Sequence, residues 1–174
     1  IASGKILSED QAADFEADII INAQNQYIMP SLVDLKGRIH PSAPYVQYNH
    51  GLKELSAYEA NGFSQVTCFP NQFHCFDRSA TINKLKQTPT ALLLSPIGAL
   101  TLDNLGTQLN DYQALQEAGC IAFSSGLKPV TDLRILRSAY KLLASLNYLV
   151  IIYPQDPCLS EKGCAHEGKI ATRL

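Results

Sequence analysis

The sequence feature that most constrains the fold is a regular alternation of apolar, strand-like runs with helical patterns. Runs at 65–69, 91–95, 120–123 and 148–152 are almost continuously apolar, which is typical of strands that are covered on both faces. If a first strand starts at Leu32, successive strands start 33, 26, 29 and 28 residues apart. This spacing predicts a βα repeat, and such repeats build either a doubly wound parallel sheet or a (β/α)8 barrel.

Helical patterns fill the intervals between these runs. The clearest covers 133–146, where Asp132 supplies an N-cap and Leu136, Tyr140 and Leu143 recur on one face. Three shorter helices are predicted in the same way: one with Leu52, Leu55 and Tyr58 that ends at Asn61-Gly62, one from Ser79 that ends before Pro89, and one with Leu115 and Ala118 that ends at Gly119.

Upstream of the repeat, the runs 18–22 and 27–34 predict short strands at the entrance to the domain, separated by a turn at 23–26. No G-x-G-x-x-G or G-x-x-x-x-G-K-[ST] pattern follows any predicted strand, which removes the usual nucleotide-binding signature of a doubly wound sheet. A complete barrel needs about 250 residues, whereas this chain has 174, begins at Ile1 and has Met29 as its only methionine. We therefore expect a piece of a longer protein that contains the first part of a barrel.

Composition and charge argue against several classes of function. Fourteen basic and sixteen acidic residues give a net charge of −2, so no sequence-wide positive field is available to hold a nucleic acid or an anionic membrane. No apolar run is long enough to span a bilayer, and the first residues do not resemble a signal peptide, so we expect a soluble, cytoplasmic protein. Five cysteines are an odd number and several lie in apolar runs, which predicts reduced thiols.

In a βα fold, functional side chains follow the carboxyl ends of the strands. The segments to consider are therefore those after Asp34, after 65–69, after 120–123 and after 148–152. The polar or aromatic residues found there include Lys36, Arg38, His40, Asn71, Ser124, Ser125 and Tyr153.

The order of several short motifs resembles the amidohydrolase superfamily, and dihydroorotases in particular. Residues 19–34 are similar to the segment that leads into that family's first barrel strand, which continues as Asp-x-His-x-His. A-N-G-F at 60–63 with V-T-C-F-P-N at 66–71, and L-Q-E-A-G-C-I-A-F at 115–123 with K-P-V at 128–130, resemble further family motifs. Q-D-P-C-L at 155–159 and H-E-G at 166–168 complete the match, which covers almost the whole chain.

This resemblance also implies where the chain departs from the family. Dihydroorotases hold a zinc centre, and the two histidines of His-x-His fall here on Lys36 and Arg38. A protonated lysine and an arginine have no lone pair to offer a metal. The family's acidic ligand falls on Ser125 and a further ligand histidine falls on Tyr153. Every ligand position visible in the chain is therefore changed, so we expect no zinc and no other cofactor.

Two further positions belong to substrate binding in that family. The arginine that binds the substrate carboxylate falls on His40, whereas the substrate-contacting asparagine is kept as Asn71. We expect Asn71, His40, Lys36 and Arg38 to be what is left of the substrate-binding site.

The resemblance implies an α/β fold, with residues 31–174 forming the first part of a (β/α)8 amidohydrolase barrel and residues 1–30 a remnant of the small β-domain that precedes it. It also implies a dihydroorotase-like protein of pyrimidine biosynthesis that does not hydrolyse dihydroorotate. Inactive homologues in this family associate with aspartate transcarbamoylase, so that enzyme is the expected partner, in an oligomeric assembly without nucleic acid or membrane.

Two other functions stay open. One is an active cyclic amidohydrolase with an unusual metal site. The other is a binding module in which Lys36, Arg38, His40 and Asn71 capture a small carboxylate.

Individual residues also allow two interpretations. Lys36 and Arg38 either hold an anion or pair with Asp34, or they are residual polar residues of a relaxed pocket. Asn71 is more simply a turn-former after Pro70. Ser124 and Ser125 resemble nucleophiles but are more simply turn caps.

The same holds for the remaining histidines and cysteines and for one helix. His74-Cys75, and Cys158 with Cys164 and His166, match no zinc spacing. The helix at 133–146 is ordinary core that also offers a face to a partner.

Overall fold

A computed structural model describes residues 8, 10, 16, 18–37, 48–70, 75–160, 163, 168–169 and 171–173, and the side chains among them except those of residues 48–52 and 171. The chain divides into two compact units, Ile1–Pro30 and Ser31–Leu174. The second unit carries the βα repeat that the sequence predicts.

Five parallel strands form one sheet in the order β1-β2-β3-β4-β5. Each strand pairs with the next one along the chain, as in a barrel and unlike a doubly wound sheet, where the order reverses. Their bounds are β1 Leu32–Gly37, β2 Phe63–Cys68, β3 Leu93–Ala99, β4 Ala122–Ser124 and β5 Val150–Ile151. The described part of this unit is thus an α/β half-barrel.

Helices connect successive strands. They are α1 Tyr48–Ala60, α2 Ser79–Lys86, α3 Tyr112–Ala118 and α4 Leu133–Ser145. A short helix, α5, covers Pro157–Ser160 after β5. Two 3-10 helices lie at Leu102–Asn104, after β3, and at Ala171–Arg173. The four predicted helices are confirmed, and α4 begins at its predicted N-cap, where the Asp132 carboxylate accepts a hydrogen bond from the Arg134 amide. In the described residues, no helix has the length and apolar character needed to cross a membrane.

The core lies between the sheet and its helices. The larger cluster of buried side chains joins α2, α3 and α4 to the strands, and its members are Cys68, Phe76, Ile82, Leu85, Leu100, Tyr112, Leu115, Ala118, Cys120, Phe123, Ala139 and Leu143. A smaller cluster of Leu55, Val66 and Leu92 packs α1 on β2. Among the described residues, Cys68, Cys120 and Cys158 take part in no disulfide bond, whereas Cys164 lies outside the described residues.

The predicted strand at 18–22 is wrong, and the strand predicted at 27–34 begins only at Leu32. A β-branched run becomes a strand only where a second strand supplies hydrogen bonds. No described residue pairs with 18–22, and Ile19, Ile20 and Ile21 are exposed. The turn predicted at 23–26 is confirmed, since the Gln26 amide donates to the Ala23 carbonyl at 3.0 Å and Asn25 has a positive φ of 61°.

Candidate functional site

The candidate site lies at the carboxyl ends of the strands, and β1 contributes an irregular end. Its pairing with β2 shifts register between Asp34 and Gly37. Asp34 holds this bulge: its Oδ1 accepts from the Lys36 amide at 2.8 Å, and its carbonyl accepts from Thr67 Oγ1 at 3.1 Å. The Lys36 side chain, which continues from this bulge, is exposed.

A tyrosine on α1 completes the contacts of Asp34. Tyr58 donates its hydroxyl to Asp34 Oδ2 at 2.6 Å. This hydrogen bond, together with burial and the charge of Asp34, raises the pKa of Tyr58 to about 12. Both carboxylate oxygens of Asp34 are therefore engaged by groups of this chain, so the carboxylate is a structural acceptor at the end of β1.

The end of β4 is a tight turn. Ser124 is fully buried and its Oγ accepts from the Gly126 amide at 3.0 Å, which confirms the turn-cap interpretation of this serine. Gly126 has a φ of 67°, and a Cβ on it would lie 2.6 Å from the Pro70 carbonyl oxygen. The turns after β2 and β4 thus touch through backbone atoms, which leaves no room for a side chain at Gly126.

The loop after β3 forms hydrogen bonds with the segments after β2 and β4. Asp103 and Asn104 both adopt positive φ, 50° and 55°, although neither is glycine. The Asp103 amide donates to Asp77 Oδ2 at 3.0 Å, and Asn104 Nδ2 donates to the Ser125 carbonyl at 3.1 Å. Because Asp77 follows β2 and Ser125 follows β4, the loops after three successive strands form one hydrogen-bonded surface.

The end of β5 meets the end of β4. The Tyr153 amide donates to Ser125 Oγ over 3.4 Å, a long hydrogen bond. Ser125 is 2 % exposed, whereas Tyr153 is 40 % exposed. Asp156 begins α5, since its Oδ1 accepts from the Cys158 amide at 2.8 Å. A pocket of about 310 Å³ opens beside these residues.

The structure therefore brings together two of the predicted site residues. Ser125 and Tyr153 touch, and Lys36 lies at the end of β1, where the βα pattern predicts it. Outside the described residues lie Arg38, His40, Asn71, His74, Cys164 and His166. The roles expected for Lys36, Arg38, His40 and Asn71 in substrate binding stay predictions.

Several residues of this surface were missed at the sequence level. Asp77, Asn104 and Tyr58 all act through contacts with residues more than twenty positions away. A signal was present for one of them: Leu102-Asp103-Asn104-Leu105-Gly106 follows a predicted strand and carries the Asp, Asn and Gly residues that favour turns. The turn-forming residues of this segment therefore already indicated a functional loop after β3.

The described residues at the ligand-matched positions do not fit zinc. Zinc takes imidazole, thiolate or carboxylate ligands, whereas these positions hold the Lys36 ammonium, the Ser125 hydroxyl and the Tyr153 phenol. The Ser125 hydroxyl is buried and accepts from a backbone amide. Within the described part of the chain, no group of three or more His, Cys, Asp or Glu side chains is placed to hold a metal ion.

Five sequential parallel strands joined by helices define an α/β half-barrel that is consistent with part of a TIM-type barrel. A family model described as dihydro-orotase-like matches residues 25–174. The chain belongs to the dihydroorotase-like family.

Curated relatives carry two kinds of name. A dihydroorotase-like protein of Pseudomonas aeruginosa is 33 % identical, over all of this chain and 42 % of that protein. Dihydroorotases of Citrifermentans bemidjiense and Desulfotalea psychrophila are 31 % and 30 % identical; the matches cover 100 % and 86 % of this chain, and 42 % and 36 % of those proteins. The chain thus spans about two fifths of the length of the relatives it matches.

Proposed function

We propose that this chain is part of a dihydroorotase-like protein of pyrimidine biosynthesis that does not hydrolyse dihydroorotate and acts as a structural partner of aspartate transcarbamoylase. The observation that carries the proposal is the chemistry of the ligand-matched positions. The resemblance places the family's zinc ligands on Lys36, Arg38, Ser125 and Tyr153. The proposed protein uses no metal and no other cofactor.

Electrostatics supports the loss of the metal. An ammonium in the first coordination shell repels a dication and offers it no lone pair. Ser125 is a poor replacement for a carboxylate, because it is neutral and its oxygen is directed to the Tyr153 amide at 3.4 Å. Without a metal, no group at these positions lowers the pKa of a bound water enough for attack on an amide carbonyl.

The packing supports a structural role. The strand ends are linked by Asp77, Asn104 and Asp34 into a surface held by hydrogen bonds at 2.6–3.1 Å. An interface needs a fixed shape, whereas hydrolysis also needs the metal. A scaffold keeps working when the fold is retained and the metal ligands are absent. The choice of aspartate transcarbamoylase rests on the family resemblance.

The proposal also covers the rest of the architecture. The half-barrel Ser31–Leu174 forms part of a closed (β/α)8 barrel, and residues 1–30 are a remnant of a small β-domain. The protein acts in the cytoplasm as part of an oligomer, without nucleic acid or membrane.

The catalytic half of the proposal is tested by metal analysis and turnover. Full-length protein purified in the presence of zinc is expected to contain less than about 0.1 equivalent of zinc and to show no dihydroorotate hydrolysis above the buffer rate. Stoichiometric zinc with measurable turnover would overturn the proposal in favour of an active enzyme with an unusual site.

Restoring the ligands provides the matched comparison. The variant Lys36→His/Arg38→His/Ser125→Asp/Tyr153→His is expected to bind more zinc than the parent protein, because it replaces cations and hydroxyls with imidazole and carboxylate. Lys53→His/Arg137→His, at exposed positions on α1 and α4, controls for added surface histidines. Equal zinc in the restored and control variants would contradict the assignment of these ligand positions.

The structural half is tested by association. Full-length protein and aspartate transcarbamoylase from the same source are expected to elute together in gel filtration at micromolar concentrations. Separate elution would reject the partner. Stabilisation of the protein by carbamoyl aspartate or dihydroorotate in a thermal scan would favour the carboxylate-binding function instead.

A further inference from the structure

An asparagine–glycine pair lies at the exposed C-terminal end of α1. Asn61 is the only asparagine in the sequence that is followed by glycine. Both residues are exposed, and Gly62 has a φ of 80°. A Cβ built on Gly62 would meet no atom within 4 Å, so the space around this pair is open.

The reactivity of such a pair depends on the glycine. The backbone nitrogen of the residue after an asparagine attacks the side-chain carbonyl carbon, Cγ, and glycine permits this approach because it carries no side chain. The bond from Cγ to Nδ2 then breaks, and Nδ2 leaves as ammonia with the proton that the backbone nitrogen gives up. Water opens the resulting cyclic imide at either of its two carbonyls, which yields aspartate or isoaspartate.

In the folded chain, two hydrogen bonds oppose this attack. The Gly62 amide, which is the nucleophile, donates to the Glu59 carbonyl at 3.1 Å. Asn61 Nδ2, which is the leaving group, donates to the Ala57 carbonyl at 2.7 Å. Both acceptors belong to the last turn of α1, so the reaction requires that this turn opens. Helix ends open more readily than the core of a protein.

The Glu59 carboxylate holds this turn against the sheet. Its Oε1 accepts from Thr90 Oγ1 at 2.6 Å and from the Ala91 amide at 2.8 Å. Thr90 and Ala91 lie just before β3, so these two hydrogen bonds join the last turn of α1 to the start of a strand. They therefore oppose the opening that exposes Asn61 and Gly62 to reaction.

We propose that Asn61 is a site of spontaneous deamidation and that the closed last turn of α1 controls its rate. Isoaspartate at this position lengthens the main chain by one atom before Gly62, whose carbonyl accepts from the Leu32 amide at 2.9 Å. Leu32 and Phe63 are the first residue pair between β1 and β2. The modification therefore displaces an acceptor at the start of this pairing. It goes beyond the proposed function, because it needs neither a metal nor a partner.

Incubation of full-length protein in heavy-oxygen water measures the reaction, because each event at Asn61 adds one heavy oxygen atom that mass spectrometry of the digested protein detects. We expect deamidation of the native protein to be roughly thirtyfold slower than that of protein unfolded in guanidinium chloride, as two hydrogen bonds predict. Asn147 is the internal control. It is also exposed just after a helix, but a tyrosine follows it, and it should stay unmodified in both states.

Variants test whether the helix end controls the rate. Glu59→Ala removes both hydrogen bonds of the carboxylate, so we expect deamidation of the native protein to become about fivefold faster, with the rate in guanidinium chloride unchanged. Glu54→Ala, at an exposed position on the same helix, is the matched control and should leave both rates unchanged. Asn61→Gln places the amide one carbon further from the nucleophile and should abolish the uptake of heavy oxygen at this position.

Four results would each overturn the proposal. They are no uptake at Asn61 in the unfolded protein, equal rates in the native and the unfolded protein, equal native rates in the two glutamate variants, and undiminished uptake in Asn61→Gln. None of these results depends on zinc content or on aspartate transcarbamoylase, so the failure of this proposal is distinguishable from the failure of the proposed function.

Discussion

Replacing Gly126 with alanine tests the close approach of the turns after β2 and β4. Gly126 has a φ of 67°, in the left-handed region that side chains rarely adopt. A Cβ there would lie 2.6 Å from the Pro70 carbonyl oxygen and 3.2 Å from Asn104 Nδ2. The first of these atoms belongs to the backbone, so it cannot rotate away, and the two turns must separate.

The expected cost follows from three terms. An alanine in the left-handed region costs about 1–2 kcal/mol, and forcing a methyl group against packed backbone costs about 1–3 kcal/mol. The lower entropy of the unfolded alanine chain offsets about 0.4–1 kcal/mol. We therefore expect Gly126→Ala to lower the free energy of unfolding by about 3 kcal/mol, and the Tm by roughly 10 °C.

Gly62→Ala is the matched control. Gly62 also has a positive φ, 80°, but a Cβ on it would meet no atom within 4 Å. The two variants share the left-handed term and the unfolded-state term, so the difference between them isolates the clash. Urea denaturation of the full chain, extrapolated linearly to water, measures both free energies if the m-values agree. We expect a difference of about 2 kcal/mol between the two variants.

Equal losses of stability in the two variants would refute the close approach. A neutral Gly126→Ala would refute the left-handed turn as well, and with it the account of how the loops after β2 and β4 are joined. A larger m-value in Gly126→Ala alone would indicate a change in the unfolded state instead.

Three further predictions follow from buried polar groups. Tyr112→Phe leaves the buried Leu100 carbonyl without the hydroxyl that donates to it at 2.7 Å, so we expect a loss of about 1–3 kcal/mol in urea denaturation, and no loss would contradict this contact. Burial raises the pKa of Cys68 and of Cys120 from 9.0 to about 12. The unfolded thiols lose their protons first, so stability should be full below pH 9 and fall as the pH rises towards 12; unchanged unfolding free energy at pH 10.5 would contradict this sign. In the folded protein, a disulfide reagent should modify the exposed Cys158 at least a hundredfold faster than Cys68 or Cys120, and comparable rates would show that the core is open.

Local patterns in the sequence predict much of the fold. Helix α4 begins at its capping Asp132, and α3 ends at Gly119, whose φ is 113°. These features depend on residues within one turn of each other, so a short window of sequence contains all the information needed. Strand order is different, because the βα repeat allows both a doubly wound sheet and a barrel; the sequential order was expected from the family resemblance.

The candidate site was only partly predictable. The βα pattern places Lys36, Ser125 and Tyr153 at strand ends, since that position depends only on where each strand stops. It gives neither the contact between Ser125 and Tyr153 nor the pocket beside them. Those depend on how closely the turns after β4 and β5 approach each other, which brings together residues 28 positions apart.

The strand predicted at 18–22 shows that local sequence preference is not sufficient to form a strand. Its β-branched residues favour extended backbone, but a strand also requires a partner, and none of the described residues pairs with it. By itself, the sequence determined the repeat and the helices with their caps, because each is a property of residue type and short spacing. Only the tertiary structure determined that Asp34 accepts a hydrogen bond from Tyr58, that Asn104 joins the loops after β3 and β4, and that the Tyr153 amide reaches Ser125. The reason is that these contacts bring together residues from 21 to 28 positions apart.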